Sequence, residues 1–151
     1  MPSSVCLSRL VLCAALLASA PAWAADFVAD LDPAAHDNST RLQVQGEGAV
    51  TGTLSGNRLT VSGRFSGLTA AATKARLGQS VVLGAPATSF FADLSISSGT
   101  SGTISGAVTL TPAQLASLND KTLFLQIDST NPSPNGTLWG WFLPVPARSA
   151  R

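Results

Sequence analysis

Four aspartates crowd one stretch of this chain, Asp26, Asp30, Asp32 and Asp37, with the single histidine, His36, beside the last. Carboxylates in that number can chelate calcium, but a dedicated calcium loop sets its oxygens at alternating positions, an order this stretch lacks. Solvated loop carboxylates are the simpler reading. A zinc or copper centre needs several converging imidazoles, thiolates or carboxylates. One histidine, with cysteines only at Cys6 and Cys13, argues against one. A Ser-His-Asp system would have to use His36, and no Gly-x-Ser-x-Gly elbow precedes a helix. Glycosidase chemistry needs two carboxylates across a cleft. Glu47, Asp93, Asp120 and Asp128 are of the right type, but none stands in a motif. The expectation is therefore not an enzyme, with no catalytic residue, no metal and no cofactor.

What remains is aromatic. Near the C-terminus Leu138, Gly140 and Phe142 alternate with Trp139 and Trp141. In a strand the two indoles share one face, and Phe124 and Gln126 can lie on that face across a hairpin. Flat rings side by side can bind a sugar ring or another protein. Tryptophan is also commonly buried, so packing under the N-terminal segment or against a second sheet is the alternative. Trp139 and Trp141, with Phe124 as support, are the candidate binding residues. The expected partner is a glycan or a cell-envelope protein.

Composition narrows the partners. Residues 1–24 carry one basic residue, Arg9, an apolar run from Leu10 to Ala18, and then Ala22-Trp23-Ala24. That is the layout of a cleaved secretory signal peptide, and the run is shorter than the roughly 20 residues a membrane span needs. Cys13 follows Leu12 rather than a small residue, which argues against a lipoprotein. Export to the periplasm or beyond the cell is expected, with no transmembrane anchor after cleavage. Both cysteines leave with the leader. The remaining 127 residues suit one domain and carry eight basic against eight acidic side chains. Without a basic stripe, nucleic acid is not an expected partner.

The elements that must position the tryptophans read as short strands. Phe27 to Leu31 is the first, ended by Asp32-Pro33, with a loop from Ala34 to Thr40. Arg41 to Gly46 and Ala49 to Leu54 read as an interrupted extended stretch. Val50, Gly52 and Leu54 then alternate with Thr51 and Thr53, Ser55-Gly56-Asn57 turns, and Leu59, Val61 and Phe65 alternate on the return. Thr73 to Leu77 is a further strand, Ser80 to Leu83 a short apolar piece, and Ser89 to Ser97 with Thr103 to Leu110 a second hairpin. Thr111, Pro112 and Gln114 spell an N-cap, a first-turn proline and a capping box, so a short helix follows. Lys121 to Asp128 and Thr137 to Leu143 are the last strands, joined by a turn at 131–136. The pattern predicts an all-β domain, an antiparallel Greek-key-like β-sandwich or small barrel with one short helix, over residues 25–143. Residues 144–151 are expected to be a short disordered tail.

The order of these pieces resembles the CHRD domain, the module named after chordin and common in secreted bacterial proteins. The residues that carry the likeness run from Ala49-Val50-Thr51-Gly52-Thr53-Leu54 through Phe65-Ser66-Gly67-Leu68. They continue through Gly106-Ala107-Val108-Thr109-Leu110-Thr111-Pro112-Ala113-Gln114 to Asn135-Gly136-Thr137-Leu138-Trp139-Gly140. The family's usual histidine-bearing strands are replaced here by Lys74-Ala75-Arg76-Leu77-Gly78 and Ile127-Asp128-Ser129. The resemblance thus implies an exported β module and no metal function through those histidines. An exported, non-enzymatic module with a binding or structural role is the leading expectation. A hydrolase or metal-dependent enzyme with an unrecognised site is the alternative, as is a subunit of an extracellular assembly joined by edge-strand pairing. A deep polar cleft gathering Lys74, Arg76 and Asp128 would favour the enzyme.

Overall fold

Period-two alternation of apolar and hydroxyl side chains builds most of the fold. The computed structural model describes residues 25–131 and 136–146. The described elements are β1 (Ala25–Pro33), β2 (Glu47–Ser55), β3 (Arg58–Ser66), β4 (Ala72–Gln79), β5 (Ser89–Ile96), β6 (Gly102–Thr109), α1 (Pro112–Asn119), β7 (Leu123–Ser129), β8 (Leu138–Trp141) and β9 (Leu143–Pro144). All described strand pairs are antiparallel.

The strands run β2-β3-β6-β5-β4-β7-β8-β1, and β1 pairs back to β2, so the sheet closes into an eight-stranded barrel. Strand β3 lies beside β6 and strand β7 beside β4, which makes two overlapping Greek keys. Of the two architectures expected, the barrel is the one formed. In the β2–β3 hairpin Ser55 faces Arg58 across a two-residue turn in which Gly56 takes φ +62°. That backbone region is open to glycine at little steric cost.

The interior is filled. Phe27, Leu31, Val50, Leu59, Val61, Leu77, Ile104, Leu123, Leu125, Ile127, Leu138 and Phe142 all belong to one buried cluster. Eight strands enclose just enough space for such side chains, and here the side chains occupy it. Helix α1 packs in the β6–β7 connection with the predicted cap complete: Thr111 Oγ1 accepts from the Gln114 backbone N–H and Gln114 Oε1 accepts from that of Thr111. Its Leu118 is fully buried in the barrel core.

Three expectations need correction. Arg41 to Gly46 is not extended: the Arg41 N–H donates to Asp37 O and the Val44 N–H to Thr40 O, so local turns take up the backbone and β2 starts at Glu47. Ser80 to Leu83, expected as a short apolar piece alongside the strands, is a turn in which Val81, Val82 and Leu83 are exposed and Ser80 alone is buried. The last strand is interrupted at Phe142. Its two parts still keep one register along β1, with Trp139 opposite Asp32 and Leu143 opposite Val28. Pro144, expected in the tail, is therefore the last residue of β9. Residues 1–24, where the signal peptide is expected, most of the 131–136 turn and residues 147–151 lie outside the described residues.

Candidate functional site

The outer wall over β5, β4, β7 and β8 carries the aromatic residues. Register sets two rows across it. Phe90, Gly78, Phe124 and Trp141 stand opposite one another in sequence, and Arg76, Gln126, Trp139 and Asp32 form the next row. Because opposite residues of an antiparallel sheet share a face, both indoles point away from the interior that Leu138, Gly140 and Phe142 line.

The rings touch in a chain. Phe90 lies 6.1 Å from Phe124, Phe124 stacks on Trp141 at 5.6 Å and 27°, and Trp141 meets Trp139 at 5.2 Å. Gly78 makes this possible, since a Cβ there would come within 3.0 Å of the Phe90 ring and 3.1 Å of Phe124. Each such ring pair contributes about 0.5–1.5 kcal/mol beyond its buried area, enough to hold the indoles in place before any ligand arrives. Phe124 itself is fully buried, so it props Trp141 from beneath and offers no surface of its own. The two tryptophans are half-buried and Phe90 is exposed.

Polar groups fix the edges. The Trp141 indole N–H donates to Ser80 Oγ at 3.2 Å. The Arg76 guanidinium carbon sits 3.8 Å over the Phe90 ring, while its Nη2 pairs with Asp128 Oδ2 at 2.7 Å. Gln126 Nε2 donates to the other Asp128 oxygen at 2.8 Å. Asp30 and Asp32 alternate with buried Ala29 and Leu31 on β1, so their exposed carboxylates border the wall beside Trp139. Asp30 falls within the strand expected from Phe27 to Leu31, and Asp32, expected to end it, continues β1 as well.

Among the described residues Lys74, Arg76 and Asp128 stand on the outer wall of β4 and β7. Arg76 and Asp128 are engaged with each other on the wall, and Lys74 points to solvent. His36 Nδ1 bonds the Ala34 carbonyl at 2.8 Å in the β1–β2 loop. Among the described residues no three His, Cys, Asp or Glu side chains come together as a metal site would require. A shallow depression of about 620 Å³ opens elsewhere, over β2, β3 and β6, with Glu47, Arg64, Phe65 and Ser101 in its lining. It contains neither tryptophan.

Asp37 serves the loop. Its Oδ1 accepts from Ser39 Oγ at 2.6 Å, from the Ser39 and Thr40 backbone N–H groups and from Thr40 Oγ1. The Ser39 hydroxyl first, then that of Thr40, lowers the carboxyl from 3.8 to about 2. A depressed carboxylate stabilises the folded loop above its ordinary value and loses that effect as pH falls through about 2. A carboxylate NMR titration is expected to place Asp37 near about 2, and a midpoint at the ordinary carboxylate value would refute this bonding.

The sequence profile of the CHRD domain matches residues 27–140, from β1 into β8. The chain belongs to the CHRD domain family. Searches of curated proteins and of solved structures find no match to it. In this CHRD domain the segments Lys74-Ala75-Arg76-Leu77-Gly78 and Ile127-Asp128-Ser129 are neighbours, on β4 and β7, with Lys74 opposite Asp128. Ion pairing of Arg76 with Asp128 occupies that border. CHRD domains are typically found in secreted proteins. No helix among the described residues is long and apolar enough to cross a membrane.

Proposed function

We propose that this CHRD domain is an exported, non-enzymatic binding module that takes a glycan of the cell envelope or its surroundings on the wall formed by Trp139 and Trp141. One observation carries the reading: two half-buried indoles are fixed by a buried Phe124 and by Ser80, beside exposed carboxylates. Ring faces of this kind pack against the C–H face of a pyranose, and Asp30 and Asp32 supply acceptors for its hydroxyls. The filled interior supports an outside site. The family supports a module rather than an enzyme.

From Ala25 onward Trp139 and Trp141 are the only tryptophans, so their emission reports the wall directly. Titration with soluble envelope glycan fragments is expected to quench or shift it. A Trp139→Ala/Trp141→Ala variant should keep its far-ultraviolet dichroism and bind roughly thirtyfold or more weakly, since a Trp anchor costs about 2 kcal/mol or more on truncation. Undiminished binding by the folded variant, measured calorimetrically, would reject the assignment.

A further inference from the structure

Strand register sets a carboxylate beside each indole of the wall. Trp139 stands opposite Asp32 and Leu143 opposite Val28, so in the same register Trp141 stands opposite Asp30. Residues opposed across adjacent strands share a face and have Cβ atoms about 4.5–5.5 Å apart. Asp30-Leu31-Asp32 and Trp139-Gly140-Trp141 therefore match position for position, two acids against two indoles, with buried Leu31 and Gly140 between them. Gly140 has no Cβ to strike the Asp30 carbonyl oxygen, which lets the two strands close up here.

The charge at this seam is one-sided. Strands β1, β2 and β8 carry Asp26, Asp30, Asp32 and Glu47, half of the eight acidic side chains in the sequence, and no lysine or arginine. Asp30 and Asp32 are exposed, and among the described residues neither carboxylate takes part in an ion pair or a hydrogen bond. Cations stand further round the barrel. Arg64 is on β3, one strand past the Ala49 that faces Asp30. Arg76 is on β4, two strands from Trp139 and past Gln126, and Asp128 already holds it. A neutral sugar calls for acceptors but not for unbalanced charge. Two unpaired anions beside two indoles are complementary to a cation, because an indole face attracts one more strongly than any other side-chain ring and a carboxylate bonds it directly.

We propose that the glycan taken by this wall carries free amino groups, with a protonated amine held between the indoles of Trp139 and Trp141 and the carboxylates of Asp30 and Asp32. The assignment rests on the glycan reading above and narrows it to a cationic amino sugar.

The test compares a chitosan oligosaccharide, whose glucosamine units bear free amines, with the chitin oligosaccharide of equal length, at a pH where the amines are protonated. The two share a backbone and differ in charge. Binding to the chain from Ala25 onward is read by tryptophan emission and by calorimetry. The amine form should bind about tenfold or more tightly, the scale of a hydrogen bond between charged groups, and should lose that advantage as salt is raised. Asp30→Asn/Asp32→Asn keeps both shapes at exposed positions and should fold as the parent does by circular dichroism. It should bring the amine form down to the affinity of the acetylated one and leave the acetylated one unchanged. Asp93→Asn/Asp120→Asn removes the same charge from exposed positions outside β1 and β8 and should bind like the parent, which separates a local effect from net charge.

Equal affinity for the two oligosaccharides overturns the amine assignment and leaves the glycan reading standing. So does an amine preference that survives Asp30→Asn/Asp32→Asn. Binding of neither oligosaccharide also overturns the amine assignment, and titration with soluble envelope fragments then decides the broader reading by itself.

Discussion

Phe124→Ala is expected to lose about 3–5 kcal/mol of stability, the range for removing a fully buried phenylalanine. The ring sits outside the barrel's interior yet has no exposed surface, being closed over by Phe90, Trp141 and the bare backbone of Gly78. Its removal leaves a hole against two rings at once, and the stack that orients Trp141 disappears. Chemical denaturation should show the lowered midpoint. The tryptophan emission of the still-folded variant should shift to longer wavelength as Trp141 gains water. A loss below about 1 kcal/mol would mean that the outer aromatic layer contributes little to the fold. Phe124→Leu, which retains most of the volume, should recover much of the stability but not the ring stacking.

Gly140→Ala is expected to be comparably damaging for a different reason. A Cβ at this position would run into the Asp30 carbonyl oxygen and come within 2.8 Å of Leu31 Cδ2. The obstacle is the backbone of a neighbouring strand and cannot swing aside as a flexible side chain would. Strands β1 and β8 would have to part where the barrel is sealed, between the paired Asp32–Trp139 and Val28–Leu143 positions. Overpacking usually costs about 1–3 kcal/mol, and a clash with main chain belongs at or above the top of that range. The expected result is a lowered melting temperature, with amide exchange fastest along β1. Wild-type stability in this variant would show that the seam has slack.

The hairpin β2–β3 and the helix start were legible because their signals are local. Alternation from Val50 to Phe65, a glycine at the turn, and the Thr111-Pro112-Gln114 cap each act within a few residues. The outward face of Trp139 and Trp141 followed from the same alternation. Long-range choices left no such trace. Strand β5 pairs along Ser89 to Leu94 with β4 and gives only Ser95 and Ile96 to β6, which a simple hairpin reading of 89–110 does not reveal. In β7 both faces are covered, so Leu123 to Ile127 is buried without alternation and Phe124 gave no hint of lying under other rings. Leu42 and Val44 mimic a strand by spacing, but the hydrogen bonds of Asp37 and Thr40 hold that segment in turns. Asp30 and Asp32 belong to the wall through the pairing of β1 with β8, a contact with no local signal.

That seam also governs when the protein can come into being. Asp32, near the beginning of the fold, finds its cross-strand neighbour in Trp139, near its end, so the contact that completes the cylinder spans almost the whole chain. Pairings of such high contact order form slowly, because loop entropy is lost before they return any stability. The first strand must therefore wait, unpaired on that side, until the last has been synthesised. Domain maturation is in consequence a post-translational event.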